Sequence, residues 1–236
     1  MGGEIQGLDR AAADSLIGWW LESGVDAPVA ETPRDWLKRI TPRAEPRPAT
    51  VSNVSEPSHE TLAGLRDWLA SSAQLPLASA TARRILPHGP EDAAVMLLSD
   101  APALEDFASG QPIGGEAWKL AEKMLGAIGI PSDQAYSASL SCFHAPGTRM
   151  SDQDRAACAG IARKHIALAR PKRLILFGDA PARALLGEPL ARARGRVHQI
   201  EGVRTIASFH PRWLLQRPSD KALAWRDLLL LMSEGD

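Results

Sequence analysis

Residues 204–215 read RTIASFHPRWLL, and the reading of this stretch decides the fold. Val203, Thr205, Ile206 and Ala207 are small or β-branched, the pattern of a short buried strand with little solvent face. The strand is expected to end at Ser208-Phe209-His210-Pro211, because proline can neither continue a ladder nor donate to it. His210 is thereby delivered to a loop at the C-terminal edge of a strand, where open α/β sheets bind ligands. Arg212, Trp213, Leu214 and Leu215 follow, a cation beside large apolar groups. A lone His-Pro also reads as an ordinary turn histidine with Trp213 and the leucines in the core, so the neighbouring segments have to decide.

Working outward, Leu174–Gly178 and Ala93–Leu98 are continuous apolar runs of strand length, the mark of parallel strands covered on both faces. Tyr136–Cys142 reads as a further, less apolar strand, and His198–Ile200 can pair with Val203–Ala207 as a hairpin. Helices are expected over 61–69, 116–128, from Ser151-Asp152-Gln153-Asp154 to Ala169, over 181–186 and over 221–232. Acidic residues open the third of these and Gly129 with Pro131 closes the second. Residues 83–87 read as irregular and 99–115 as one long loop. Strands alternating with helices predict a three-layer α/β/α architecture around a central, mainly parallel sheet.

The composition is that of an ordinary globular chain, and no apolar run approaches the roughly 20 residues of a membrane span. The opening MGGEIQGLDR lacks the basic and apolar regions of a secretory signal, which predicts a cytoplasmic protein. Cys142 and Cys158 are the only cysteines, too few for a disulfide framework or a four-cysteine metal site. The net charge of -1 hides an uneven distribution. Between Arg163 and Arg226 there are fourteen Lys/Arg against four Asp/Glu, a basic C-terminal part that fits a polyanion partner as well as a merely solvated surface. At the other end, Leu16, Trp19, Trp20, Trp36, Leu37 and Ile40 recur at helical spacing. They predict an N-terminal helical extension over 1–40 that packs on the body or docks a protein partner. Residues 41–60, rich in Pro, Ser and charge, read as a linker.

The order of these pieces resembles the uracil-DNA glycosylase superfamily, closest to its bacterial iron–sulfur (thermostable-type) branch, over roughly Ala93 to Leu230. In that branch the first strand is followed by Gly-Glu-Ala-Pro-Gly, then Glu-Asp, then Gly-x-Pro-Phe-Val-Gly. The matching positions here are Ser99-Asp100-Ala101-Pro102-Ala103, Glu105-Asp106 and Gly110-Gln111-Pro112-Ile113-Gly114-Gly115. AEKMLGAIGI, RPKRLILFGDAPARALLG and RTIASFHPRWLL are similar to the family's next helix, third strand and His-Pro loop. The resemblance makes residues 61–236 a glycosylase-like domain.

It also implies a chemistry. Such enzymes flip a damaged base out of the DNA stack and hydrolyse its N-glycosidic bond, with anionic charge developing on the base. His210 would bond the pyrimidine O2 and stabilise that charge, helped by backbone N–H groups of the loop around Ala101, with Pro102 a further contact to the base, and Asp100 would position or activate water. Arg212, Trp213, Leu214 and Leu215 would wedge into the duplex. Arg192, Arg194 and Arg196, with Arg204, would hold phosphates.

The departures fall on the chemistry. Asp100 stands where the family has Glu, and Ile113 where a Phe stacks on the flipped base. Ala138, beside Ser139, stands where an Asn reads the uracil edge, four residues before the family's third cysteine, so discrimination of uracil from cytosine is weakened. Cys142 and Cys158 match the third and fourth cluster ligands, but no upstream pair exists, and two thiolates cannot hold a four-ligand cluster. They read as remnants, with His88 and His144 the available substitutes for a zinc or mixed-ligand site. Two functions follow. One is a glycosylase of altered or weak uracil specificity, with DNA as partner and no cofactor. The other is a catalytically inactive member that binds nucleic acid or protein.

Overall fold

The computed structural model describes residues 60–79, 82–144 and 150–233. The chain divides into units 1–50 and 51–236, and the described residues belong to the second. The tryptophan-bearing extension and the linker lie outside them.

Seven strands and eight α-helices are found among the described residues. In chain order they are α1 (Leu62–Ser71), β1 (Arg83–Arg84), β2 (Val95–Ser99), α2 (Asp106–Ser109), α3 (Gly115–Ala127), β3 (Ala135–Ser139), β4 (Phe143–His144) and α4 (Asp152–Ala169). After them come β5 (Arg173–Phe177), α5 (Asp179–Leu186), α6 (Leu190–Ala193), β6 (Val197–Ile200), β7 (Val203–Ser208), α7 (Pro211–Gln216) and α8 (Lys221–Met232). The main sheet has the order β3-β2-β5-β7-β6, parallel except for β6, which runs antiparallel to β7. β1 and β4 form a separate two-stranded ribbon.

The central strands sort their side chains by the two-residue period of a pleated sheet. Met96, Leu98, Leu174, Leu176 and Ala207 point to one face, where they pack on Cys158, Ala162 and Ile166 of α4 and Ala182 and Leu185 of α5. Val95, Leu97, Ile175, Phe177 and Ile206 point to the other, against Ala117 and Leu125 of α3 and Leu228 and Leu231 of α8. Helices thus cover both faces of the sheet, the expected three-layer α/β/α arrangement. Leu97 and Ile175 have no exposed surface, and burying each such side chain stabilises the fold by about 1.5–3 kcal/mol.

From β2 the sheet grows to β3 on one side and then to β5, β7 and β6 on the other. The reversal between β2 and β5 is the topological switch point, and the crevice at the strands' C-terminal ends there is the natural ligand position. Registers Leu98↔Leu176 and Phe177↔Ser208 put Asp100, Asp179 and His210 just beyond one edge of the sheet.

Several expectations need correction. Residues 83–84 are not irregular but pair with 143–144. The strand expected over 136–142 stops at Ser139, because Ser141 and Cys142 turn the chain towards that ribbon. The long loop after β2 contains α2, and the residues after His210 form a helix, α7.

Candidate active site

His210 is the N-cap of α7. Its backbone is extended, Pro211 takes the first helical position where a missing N–H costs nothing, and Nδ1 accepts from the Arg212 N–H at 3.0 Å. That bond fixes the tautomer: with Nδ1 an acceptor, the proton of the neutral ring sits on Nε2. The half-buried ring meets Phe177, at the end of β5, edge to face at 5.9 Å. Burial, reinforced by the positive charge of Arg212, pushes its pKa down to about 3, so the imidazole is a neutral donor at physiological pH.

Asp100 follows β2 and lies two strands away from His210, since β5 separates β2 from β7. Two strand spacings make roughly 10 Å. Asp100 is exposed to solvent, yet the protein around its carboxyl removes enough water to raise its pKa, and the negative charge of Asp179 raises it further. Asp179 itself stays below the ordinary carboxylate range. Its partial desolvation opposes this but is outweighed by bonds from the Arg183 side chain and the Leu190 N–H.

The segment after Asp100 is pinned at many points. Ser141 N–H donates to Asp100 O at 3.1 Å, and His144 Nδ1–H donates to Pro102 O at 2.7 Å. Asp106, with no exposed surface, accepts from Ala103 N–H at 2.6 Å and Gly114 N–H at 2.7 Å. Arg212 Nη2 reaches the two oxygens of the same carboxylate at 3.0 and 2.9 Å, and Arg212 Nε donates to Glu105. Gly114 must lack a side chain here, because a Cβ would come within 2.3 Å of Ser109 Oγ and 3.0 Å of Asp106 Cα.

A second buried carboxylate braces the other side of the His-Pro turn. Asp227 of α8 accepts from Ser208 Oγ at 2.7 Å, Arg194 Nε at 2.8 Å and Gly195 N–H at 3.3 Å. Arg194 lies over the ring of Phe209 at 4.1 Å, Phe209 stacks on Trp213, and Arg217 covers Trp213 at 4.6 Å.

The arginines expected on phosphates are therefore mostly engaged within the chain. Arg194 is paired with Asp227, Arg196 with Glu188, and Arg204 donates to the carbonyls of Leu230 and Ser233 at the end of α8. Arg192 is exposed and has no ion-pair partner among the described residues. In the expected wedge, Leu214 is buried, Arg212 is held by carboxylates, and Trp213 and Leu215 keep 40% and 42% of their surface exposed. Only these last two present apolar surface outward.

The two positions expected to read the base are enclosed. Ile113 and Ala138 have no exposed surface and belong to the apolar layers on opposite faces of the sheet. Ser139 is partly exposed, its hydroxyl 3.2 Å from that of Ser99, and Ala101 is likewise partly exposed while Pro102 is buried.

Cys142 and Cys158 line one narrow cavity of about 20 Å³ with Leu69, Leu75, Ile85, Ile161 and His165. Burial pushes their pKa values up to about 11 and about 12. His165 is bonded to the Tyr136 hydroxyl at 2.8 Å, and His144 to Pro102. Among the described residues no three His, Cys, Asp or Glu side chains converge as ligands. This donor set does not fit a four-ligand iron–sulfur cluster.

The sequence singled out His210 and Asp100 and gave no role to Asp106, Asp179 or Asp227. The Glu105-Asp106 pair carried a signal, since it belongs to the quoted motif. Asp227 carried none, since its partners Arg194 and Ser208 are distant in sequence.

Comparison with known proteins agrees with this architecture. The family model described as the uracil DNA glycosylase superfamily matches residues 86–229. The chain is 25% identical over 141 residues to the type-4 uracil-DNA glycosylase of Archaeoglobus fulgidus, covering 55% of this chain and 71% of that protein. It is 22% identical over 142 residues to the type-4 uracil-DNA glycosylase of Thermotoga maritima, covering 58% and 74%. No helix among the described residues is long and apolar enough to cross a membrane.

Proposed function

The chain belongs to the uracil-DNA glycosylase superfamily, and on that premise we propose that it is a DNA repair glycosylase of altered uracil specificity working without an iron–sulfur cluster. The observation that carries the reading is His210. It is a neutral imidazole with Nδ1 occupied by its own helix and Nε2–H left to donate at the C-terminal edge of the sheet. A preorganised neutral donor is suited to an oxygen that gains negative charge only as the glycosidic bond breaks, and it loses no energy to deprotonation.

In this reading the flipped base sits between His210 and Asp100. As the bond lengthens, Nε2–H strengthens its bond to the base O2, while Asp100 orients water towards the sugar carbon and accepts its proton. The raised pKa of Asp100 makes it a better base than an ordinary aspartate. Backbone N–H groups near Ala101 supply further donors. Trp213 and Leu215 fill the space the base leaves, and Arg192 meets a phosphate.

Altered specificity is supported by Ile113 and Ala138. With an apolar side chain in place of the stacking ring, roughly 1–3 kcal/mol of base stacking is forgone. With a methyl in place of an amide, nothing there distinguishes the uracil edge, and the Ser139 hydroxyl replaces part of that contact at most. The same two residues favour the second reading, an inactive member that binds DNA through the retained surface.

The test is incubation with single- and double-stranded DNA carrying one uracil, hypoxanthine or alkylated base, followed by alkaline scission of abasic sites, with binding measured in parallel. A glycosylase gives abasic product from at least one substrate. Binding without product on any of them selects the second reading.

A further inference from the structure

We propose that Asp106 and Arg212 are positioning residues that lock the imidazole of His210 with Nδ1 towards its own helix and Nε2 towards the crevice. The proposal deepens the glycosylase reading and rests on it for its kinetic consequence.

The lock is built from three contacts in series. His210 Nδ1 is held by the backbone N–H of Arg212, so the ring is only as fixed as the first turn of α7. The helix is only six residues long and has no acidic residue in its first turn, so little within it holds that turn. What anchors it is the Arg212 side chain, which spans two carboxylates, Asp106 through Nη2 and Glu105 through Nε. Asp106 is in turn tied by Ala103 N–H and Gly114 N–H to both ends of the segment that follows Asp100. One guanidinium therefore sets the distance between the two halves of the proposed site, the His210 turn and the Asp100 loop.

The chemistry of the two residues suits this task. A planar guanidinium with a fixed fork of donors can bridge two carboxylates in one geometry, whereas a lysine ammonium presents a point charge without that fork. Arg212 is 26% exposed and Asp106 is fully buried, so the contact to Asp106 is protected from water and held in place. The nearby cation also disfavours protonation of His210, which keeps the ring neutral in the same arrangement. Arg212 thereby acts through His210 and does not itself meet the base.

The experiment reads the ring directly. In full-length protein labelled with ¹⁵N-histidine, the His210 resonances are assigned by their loss in His210→Ala, and the shifts of the two ring nitrogens report the tautomer. The wild type should give one neutral form, with the proton on Nε2. Arg212→Ala should give an averaged or broadened pair of nitrogen signals, while the resonances of His165 stay in place. Arg212→Lys, which keeps the charge but not the fork, serves if Arg212→Ala fails to fold, and should give the same averaging to a smaller degree. On any substrate the protein cleaves, kcat should fall up to about 100-fold in Arg212→Ala with DNA binding changed little, the cost of a misplaced catalytic group.

An unchanged His210 signature in folded Arg212→Ala and Arg212→Lys would overturn the proposal, as would a wild-type ring already averaged between tautomers. Absence of cleavage in the wild type would defeat the glycosylase reading alone. The nitrogen shifts would still decide whether Arg212 holds His210, and the same shifts in Asp106→Asn whether its bond to Asp106 is the anchor.

Discussion

The His-Pro turn and the cysteine corner are the two places where the chain keeps residues that the superfamily resemblance assigns to special chemistry, and they are stabilised by opposite means. Around His210, two buried carboxylates, Asp106 and Asp227, collect backbone amides and the guanidinium groups of Arg212 and Arg194. Around Cys142 the walls are Leu65, Leu69, Leu75, Phe143 and Ile161, and Cys158 lines the same cavity beside Leu69, Leu75 and Ile161. Arg84 closes that corner by donating to the carbonyls of Leu69 and Ser72 at 2.7 and 2.9 Å while its guanidinium covers the Phe143 ring. Directional bonds hold a donor in one orientation. Apolar packing fills a volume and leaves the thiols as inert neighbours. The first arrangement fixes the direction of a donor, and the second fixes only the volume around two side chains.

The largest expected effect lies on the polar side. Asp227→Ala leaves Arg194 and Ser208 without their shared acceptor and should destabilise the fold by about 3–5 kcal/mol, as breaking a buried ion pair does. Urea unfolding measures it, and a cost below about 1 kcal/mol would remove the contrast between the two regions. On the apolar side, Leu69→Ala should cost about 3 kcal/mol in the same assay, the ordinary result of a cavity in a packed core.

Acid titration compares the regions through one imidazole in each. His165, beside the cysteines, and His210 are neutral in the folded protein, with pKa values near 4 and 3 through burial. An unfolded histidine takes up its proton near pH 6.5. Stability is therefore full above about pH 6.5 and is lost as pH falls towards 4 and 3, with a slope of up to about 1.4 kcal/mol per pH unit from each ring. His210→Ala should remove one ring's share of the slope between pH 6 and 4, which stability curves at several pH values resolve.

The smallest effects belong to the cysteines. Cys158→Ala should cost about 1 kcal/mol, the loss of a small apolar group, and incubation with a strong chelator should leave the melting temperature unchanged. A chelator-induced fall of several degrees would show that the corner still holds a metal.

How much of this was legible follows from the forces involved. The runs around Leu97, Ile175 and Ile206 announced themselves because strands covered on both faces are apolar at successive positions. His210 was legible through Pro211, a local signal. The bracing was not, because its partners are distant in sequence: Arg212 meets Asp106 and Arg194 meets Asp227. Counted as charges, those arginines resemble a phosphate-binding surface, and only the tertiary structure reveals that carboxylates already neutralise them. The end of β3 at Ser139 was hidden for a related reason. Ser141 and Cys142 are buried by the turn into β4, so their pattern mimics a continuing strand.

The most direct test of the account is single-turnover excision from uracil-containing single-stranded DNA by the wild type and by His210→Ala, with binding followed in the same samples. The wild type should excise uracil slowly but measurably, and His210→Ala should lose about 100- to 1,000-fold at unchanged binding, the usual cost of removing a preorganised donor. Equal rates in the two proteins would contradict it.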